Sequence, residues 1–305
     1  MTFRETWHGY ALLLLAVTFW SGSASLAKYL FTVKFDAVII SQMRVSISFL
    51  LLAGFFLMKD RTIFKMERKD LPQFVFLGLF GVAATNFAYY FTVQESTVAT
   101  AILIQYTAPV LVMLYAVGVS KEEEFTGIKG LALLFSLVGC FLAVGGGSVE
   151  SIQLEGWTLV TGPAASLCYS YMLIAGKHIL RKYPVWTMLT YAFAFATLAW
   201  LFVNPPWEII ARNYTGEDWG IFFLFAVTSI LIPHAAFSTS LKLLEASTVG
   251  IVSTMEPIMA IVIAALTLGE TVSGVQALGG LAVVLAVVVL QVPLQRFGFG
   301  QKHEK

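Results

Sequence analysis

The sequence predicts an all-α integral membrane protein with ten transmembrane helices arranged as two inverted-topology five-helix repeats. Three observations predict it: ten apolar segments of bilayer length, lysine and arginine gathered in alternate gaps between them, and a weak internal repeat. Hydrophobic residues make up 58% of the chain and charged residues 12%, roughly half the charged share of a soluble domain. That balance excludes a water-soluble fold, and a net charge of +1 gives no reason to expect nucleic acid as a partner.

The spans follow one another at short intervals, each close to the ~20 apolar residues a helix needs to cross the hydrocarbon. Tyr10–Val33 opens with a leucine-rich run and then turns small and polar at Ser21, Gly22, Ser23 and Ser25. A secretory-signal reading of that run is set aside, because only Arg4 precedes it and losing the span would put the remaining charges out of phase. Ala37–Met58 and Pro72–Gln94 follow, separated by the basic Lys59–Leu71 stretch. Thr97–Gly118 contains Pro109, and Gly127–Gly147 completes the first half. Beyond the polar Ser148–Leu154 boundary come Glu155–Gly176, Pro184–Val203, the acidic and proline-broken Asn204–Asp218 loop, Trp219–Leu241, Thr248–Leu268 and Thr271–Val292. The expected domains are therefore residues 1–147, residues 155–292 and a cytoplasmic tail over 293–305.

With the N-terminus cytoplasmic, 15 of the 19 lysines and arginines fall on the cytoplasmic side and 3 outside, with Arg44 inside the second span. A split of that size predicts a multi-pass protein of the cell membrane with both termini cytoplasmic. Cys140 and Cys168 lie inside predicted spans, where small apolar packing is their default role; they form neither a disulfide framework nor a metal pair.

The two halves align at an offset of 148 residues. Ala99-Thr100-Ala101 followed by Pro109 meets Ser247-Thr248-Val249 followed by Pro257, Asn86 meets His234, and Tyr90 meets Ser238. With one gap, Glu123 meets Glu270. Five spans per half is an odd number, so the second half must enter the membrane from the opposite side. Inverted repeats of this kind expose one central site alternately to the two faces.

Several of these segments resemble a known family. They are Trp20-Ser21-Gly22 with Lys28, Gln105-Tyr106-Thr107-Ala108-Pro109-Val110, Met255-Glu256-Pro257, and Leu268-Gly269-Glu270-Thr271 leading to Gly279-Gly280. In order and spacing they are similar to the EamA-type transporters of the drug/metabolite transporter superfamily, over essentially the whole chain. The resemblance implies ten helices in two inverted halves and export of a small metabolite, with an aromatic or broad amino-acid exporter the nearest functional picture. A multidrug carrier and a lipid or polyprenyl carrier of the same fold are the alternatives. The first-half counterpart of Leu-Gly-Glu departs from the pattern, reading Ser120-Lys121-Glu122-Glu123-Glu124. An enzyme is not expected, since Glu256 and His234 are the only acid and imidazole at mid-membrane depth and neither has a motif partner. Without a Walker motif there is no nucleotide-driven pump in this chain. No cofactor or metal is expected. The expected partners are a small-molecule substrate and the lipid bilayer, with a homodimer as an option.

The residues expected to bind or translocate substrate are Trp20, Asn86, Tyr90, Tyr106, Tyr169, His234, Ser238 and Glu256. Glu256 lies roughly 12 Å into its span at 1.5 Å per residue, where a carboxylate needs a cavity or a partner. Pro109 and Pro257 are the expected helix breaks, each leaving the carbonyl four residues back without its donor; paired breaks in two halves point to a central site. Asn86 and Tyr90 share a helix face, as do His234 and Ser238. Trp20, Tyr106 and Tyr169 sit at mid-span rather than at the interfaces, where rings could stack on a substrate. Against each stands a structural alternative: Glu256 held by a neighbour, His234 bonded to a carbonyl, and the small residues beside Trp20 serving close packing. Snorkelling to the headgroups accounts for Lys28 and Arg44, with a carboxylate-binding or gating role open for the deeper Arg44.

Overall fold

The structure is a computed structural model and describes residues 3–268 and 271–291. Every regular element among them is helical. Eight helical stretches are long and apolar enough to cross a membrane: Ala37–Lys59, Arg68–Glu95, Val98–Val119, Gly127–Gly145, Thr158–Leu180, Val185–Val203, Gly216–Leu243 and Ala246–Ile263. The first helix, Phe3–Val33, is 31 residues long, and the last, Gly274–Leu290, is a shorter apolar helix. Large apolar side chains point outward, with Leu50 65% and Phe202 90% exposed, while serines, threonines, Arg44 and Glu256 are buried. Apolar outside and polar inside is the arrangement lipid selects, because a helix satisfies its own backbone there. The chain is a multi-pass membrane protein.

Two expected loops carry structure of their own. The Lys59–Leu71 stretch folds into two short 3₁₀ turns, Arg61–Phe64 and Arg68–Asp70, and the proline-broken Asn204–Asp218 loop forms a six-residue helix, Pro206–Ala211. Proline at the first helical turn loses nothing, since its N–H would be unpaired there. The junction residues Gly269 and Glu270 and the 293–305 tail lie outside the described residues, as do the side chains of Ser25 and Lys28.

Three stretches widen from α into π geometry: Leu77–Ala84, Leu114–Val119 and Val227–Leu231. The first and third occupy overlapping positions at the 148-residue offset. In the first, Gly78 lets the Val185–Val203 helix approach so closely that a Cβ would sit 2.7 Å from the Ala192 carbonyl. In the third, Pro233 has no N–H to offer the Ser229 carbonyl four residues back. The Gly127–Gly145 and Gly274–Leu290 helices pack backbone to backbone through Gly139 and Gly279, the small-residue contact that lets membrane helices meet closely.

Ion pairs and hydrogen bonds tie the bundle at both ends. At the end bearing the basic connections, Arg181 pairs with Glu122 at 2.6 Å, Lys182 with Glu67 and Asp70 at 2.6 Å each, and Lys129 with Glu123 at 3.2 Å and Glu245 at 2.9 Å. Lys182 and Lys69 hold the Glu67 carboxyl below the usual carboxylate range. Glu123 has the most enclosed side chain of its glutamate run, 7% exposed. Its carboxylate also accepts from the Ser247 backbone N–H at 3.2 Å and from the Ser247 hydroxyl, satisfying donors at the start of the Ala246–Ser253 helix. Lys177 Nζ donates to the Leu241, Lys242 and Leu244 carbonyls, where a helix C-terminus favours a cation. At the opposite end Lys34 pairs with Asp218 at 2.5 Å and Arg212 with Asp36 at 2.8 Å, and Asn204 and Gln42 exchange two hydrogen bonds.

Candidate functional site

A cavity of about 50 Å³ lies among these helices, room for roughly three to five waters. Trp20 and Ser23 reach it from the first helix, Arg44 from the second, and Thr85, Asn86, Tyr89 and Tyr90 from the third. Gln105 enters at a break in the fourth; Tyr169, Met172, His234 and Glu256 complete the lining from the second half of the chain.

The polar wall is assembled on the widened turns. The Ser229 carbonyl, which Pro233 cannot serve, accepts instead from Trp20 Nε1 and from Arg44 Nη2, both at 3.2 Å. Asn86 Nδ2 donates to the Val82 carbonyl at 2.8 Å, and its Oδ1 accepts from Arg44 Nη2 at 3.2 Å. Backbone groups loosened from a regular ladder must find other partners, and here those partners are cavity side chains. Arg44 is 2% exposed and lies between two aromatic faces, 4.4 Å from the Tyr90 centroid and 5.0 Å from that of Phe225. Its Nε and Nη1 have no hydrogen-bond partner among the described residues. The snorkelling expectation for Arg44 is thus overturned. The guanidinium turns inward because the freed Ser229 carbonyl, Asn86 and two rings receive it.

Glu256 is fixed from the first half: Tyr106 Oη donates to its Oε2 at 2.6 Å. The two expected breaks are present. The fourth helix is interrupted at Tyr106 and Thr107, just before Pro109, and the ninth at Thr254, just before Pro257. The Cys140 thiol donates to the Thr254 carbonyl at 3.7 Å, and the Ser21 hydroxyl to the Glu256 carbonyl at 3.0 Å. Neighbouring helices thus supply donors to two carbonyls at the ninth-helix break.

Of the eight residues expected at the site, Trp20, Asn86, Tyr90, Tyr169, His234 and Glu256 border this one cavity. Tyr106 does not border it and meets its lining through the hydrogen bond to Glu256 and an edge-on contact with Tyr169 at 6.3 Å. Ser238 borders a smaller void of about 20 Å³ that shares Met172 and His234 with the cavity. His234 Nδ1 lies 3.0 Å from the Ile230 carbonyl; since a carbonyl only accepts, Nδ1 carries the proton. The ring stands edge-on to Trp20 at 5.3 Å. Sequence reasoning passed over Tyr89, Gln105 and Thr85, and gave Arg44 a peripheral place. The available signals were an arginine within a span and a glutamine next to a proline break. Among the described residues no three His, Cys, Asp or Glu side chains gather closely enough to hold a metal ion.

Comparison with known proteins gives this geometry a family. The model of the EamA-like transporter family matches residues 7–145 and again 156–292. The threonine/homoserine exporter RhtA of Escherichia coli is 25% identical over 92% of this chain and 90% of its own length. The uncharacterized inner membrane transporter YicL of Salmonella typhimurium is 22% identical over 96% of this chain and 98% of its own. A solved crystal structure superposes on 95% of this chain and 98% of its own with a TM-score of 0.74 at 16% identity, a likeness of fold. With both halves matched by one family model, the chain belongs to the EamA-like transporter family.

Proposed function

We propose that this protein is a secondary carrier that exports small metabolites, amino acids foremost, across the cytoplasmic membrane by alternating access. In this reading all ten sequence spans cross the bilayer as two inverted five-helix halves, residues 1–147 and 155–292, with both termini and the 293–305 tail cytoplasmic. The observation that carries it is a cation and a carboxylate, Arg44 and Glu256, in one cavity built from both halves. A central site of that composition suits a small polar solute. Ion pairs at both ends of the bundle are the contacts that would part in turn as access alternates. The exporters among its relatives support amino acids as the class, and the 15-to-3 distribution of basic residues supports the orientation. The test is exchange of a labelled amino-acid panel in proteoliposomes, with and without an imposed pH gradient. Failure to move any amino acid while a chemically different solute is carried would overturn the substrate class.

A further inference from the structure

We propose that Arg44 and Glu256 grip the two ends of an α-amino acid, carboxylate on Arg44 and ammonium on Glu256, with its apolar side chain in the void behind Met172. The inference rests on the reading of the chain as an amino-acid exporter and assigns which atoms recognise what.

A guanidinium has five N–H donors. Arg44 Nη2 serves Asn86 and Ser229, which leaves the donors on Nε and Nη1 uncommitted in a buried position. A buried cation with idle donors is costly to keep, and a carboxylate is the group that matches an arginine fork in charge and geometry. The Tyr90 and Phe225 rings flank the guanidinium and hold it ready.

Glu256 supplies the opposite charge in the same cavity, oriented by Tyr106. Two further acceptors stand idle and buried beside it, Gln105 Oε1 and the Tyr89 hydroxyl. An ammonium group has three donors to distribute, and these three partners can take them. A zwitterion added to Arg44 and Glu256 leaves the site without net charge. A substrate lacking either end leaves one buried ion uncompensated, which low-dielectric surroundings penalise heavily.

The side chain has its own place. The 20 Å³ void is walled chiefly by Leu77, Met188, Leu189, Ala192, Phe237 and Leu241 and opens beside Met172 and His234. Among the described residues no carboxylate or ammonium group borders it. Methionines fill and yield space readily, so the void suits uncharged apolar side chains of several sizes. Lysine or glutamate would place a third charge there with no counter-ion.

The experiment is competition against labelled leucine exchange by the wild-type protein in proteoliposomes. Alanine, leucine, lysine, glutamate, leucine methyl ester, 4-methylpentanoic acid and 3-methylbutylamine serve as competitors. Leucine should compete best; the ester, the acid and the amine should each fall short by at least on the order of a hundredfold, because each leaves one buried charge of the site unpaired. Equal inhibition by the methyl ester would overturn the Arg44 assignment, and equal inhibition by 4-methylpentanoic acid the Glu256 assignment, each with amino-acid export intact. Loss of all amino-acid exchange by folded protein would overturn the export reading itself. Met188→Phe should cut the preference for leucine over alanine by roughly tenfold. An unchanged preference, or preferential inhibition by lysine or glutamate in the wild type, would overturn the placement of the side chain.

Discussion

Gly279→Ala should destabilise the bundle although alanine is the better helix former. A Cβ at position 279 would press into the Ala143 backbone nitrogen and stand 2.6 Å from the Gly139 carbonyl, where ordinary contact begins near 3.4 Å. Both obstacles are backbone, so no side chain can swing aside, and the two helices must part by about 1 Å. A gap of that size forfeits roughly a quarter to a half of each dispersion contact across the seam, at about 0.1–0.2 kcal/mol per atom pair. Over some tens of pairs this amounts to about 1–3 kcal/mol, the usual range for overpacking. Alanine's helix preference returns about 1 kcal/mol, leaving a net loss of up to about 2 kcal/mol. The neighbouring Gly280 is the control: among the described residues a Cβ there meets only Ile258 Cγ2, at 3.4 Å, so Gly280→Ala should be neutral or slightly stabilising. Thermal unfolding of the two variants in one detergent measures the difference. Gly279→Ala melting at or above Gly280→Ala would refute the argument that these helices meet through their backbones.

Other expectations concern charge and orientation. Glu256→Gln preserves an acceptor for Tyr106 and should leave the protein folded while lowering export at least roughly tenfold; a wild-type rate with wild-type pH dependence would remove Glu256 from the transport cycle. Glu123→Ala strips Lys129 of its buried partner and Ser247 of its acceptor, and should cost about 3 kcal/mol, the lower end of the range for a broken buried pair because Glu245 still reaches Lys129. An unchanged melting temperature would contradict that account. A cysteine at position 65 should be shielded from an impermeant reagent in intact cells and one at position 213 labelled, and the reverse pattern would invert the frame.

Much of the fold was legible because lipid imposes a simple grammar. Apolar runs mark helices, and the breaks before Pro109 and Pro257 follow from a missing N–H. The candidate site was legible where depth decides: Asn86, His234 and Glu256 are costly at mid-span unless they face inward. What the sequence hid depends on partners distant along the chain. Arg44 reads as a snorkelling residue until the Ser229 carbonyl, 185 positions away, supplies its counterpart. Glu123 looks like its two neighbours until Lys129 and Ser247 single it out. Tyr106 sits at the right depth but spends its hydroxyl on Glu256 rather than facing the cavity. Pro233 marks a loosened helix near 227–231, but the widening itself was not legible there or at 77–84, since apolar residues at nearly every position erase the periodicity that would separate 3.6 residues per turn from a wider coil.

Those wide turns set the angular phase of the helical segments beyond them. A helix advances about 100° per residue, and a π turn absorbs a residue that regular α geometry has no room for. Asn86, Tyr89 and Tyr90 lie just beyond the first wide turn, and His234 just beyond its counterpart in the other half. Closing the 77–84 turn into an ordinary α-helix with every residue kept would leave the span's apolar character intact and its length nearly so. It would also swing those three side chains about a quarter-turn around the helix axis, away from the guanidinium they now surround. Within this family, a one-residue gap at this place in an alignment is the change that closes the wide turn while keeping the inner surface in register, whereas closing it without the gap rewrites that surface without substituting a single amino acid.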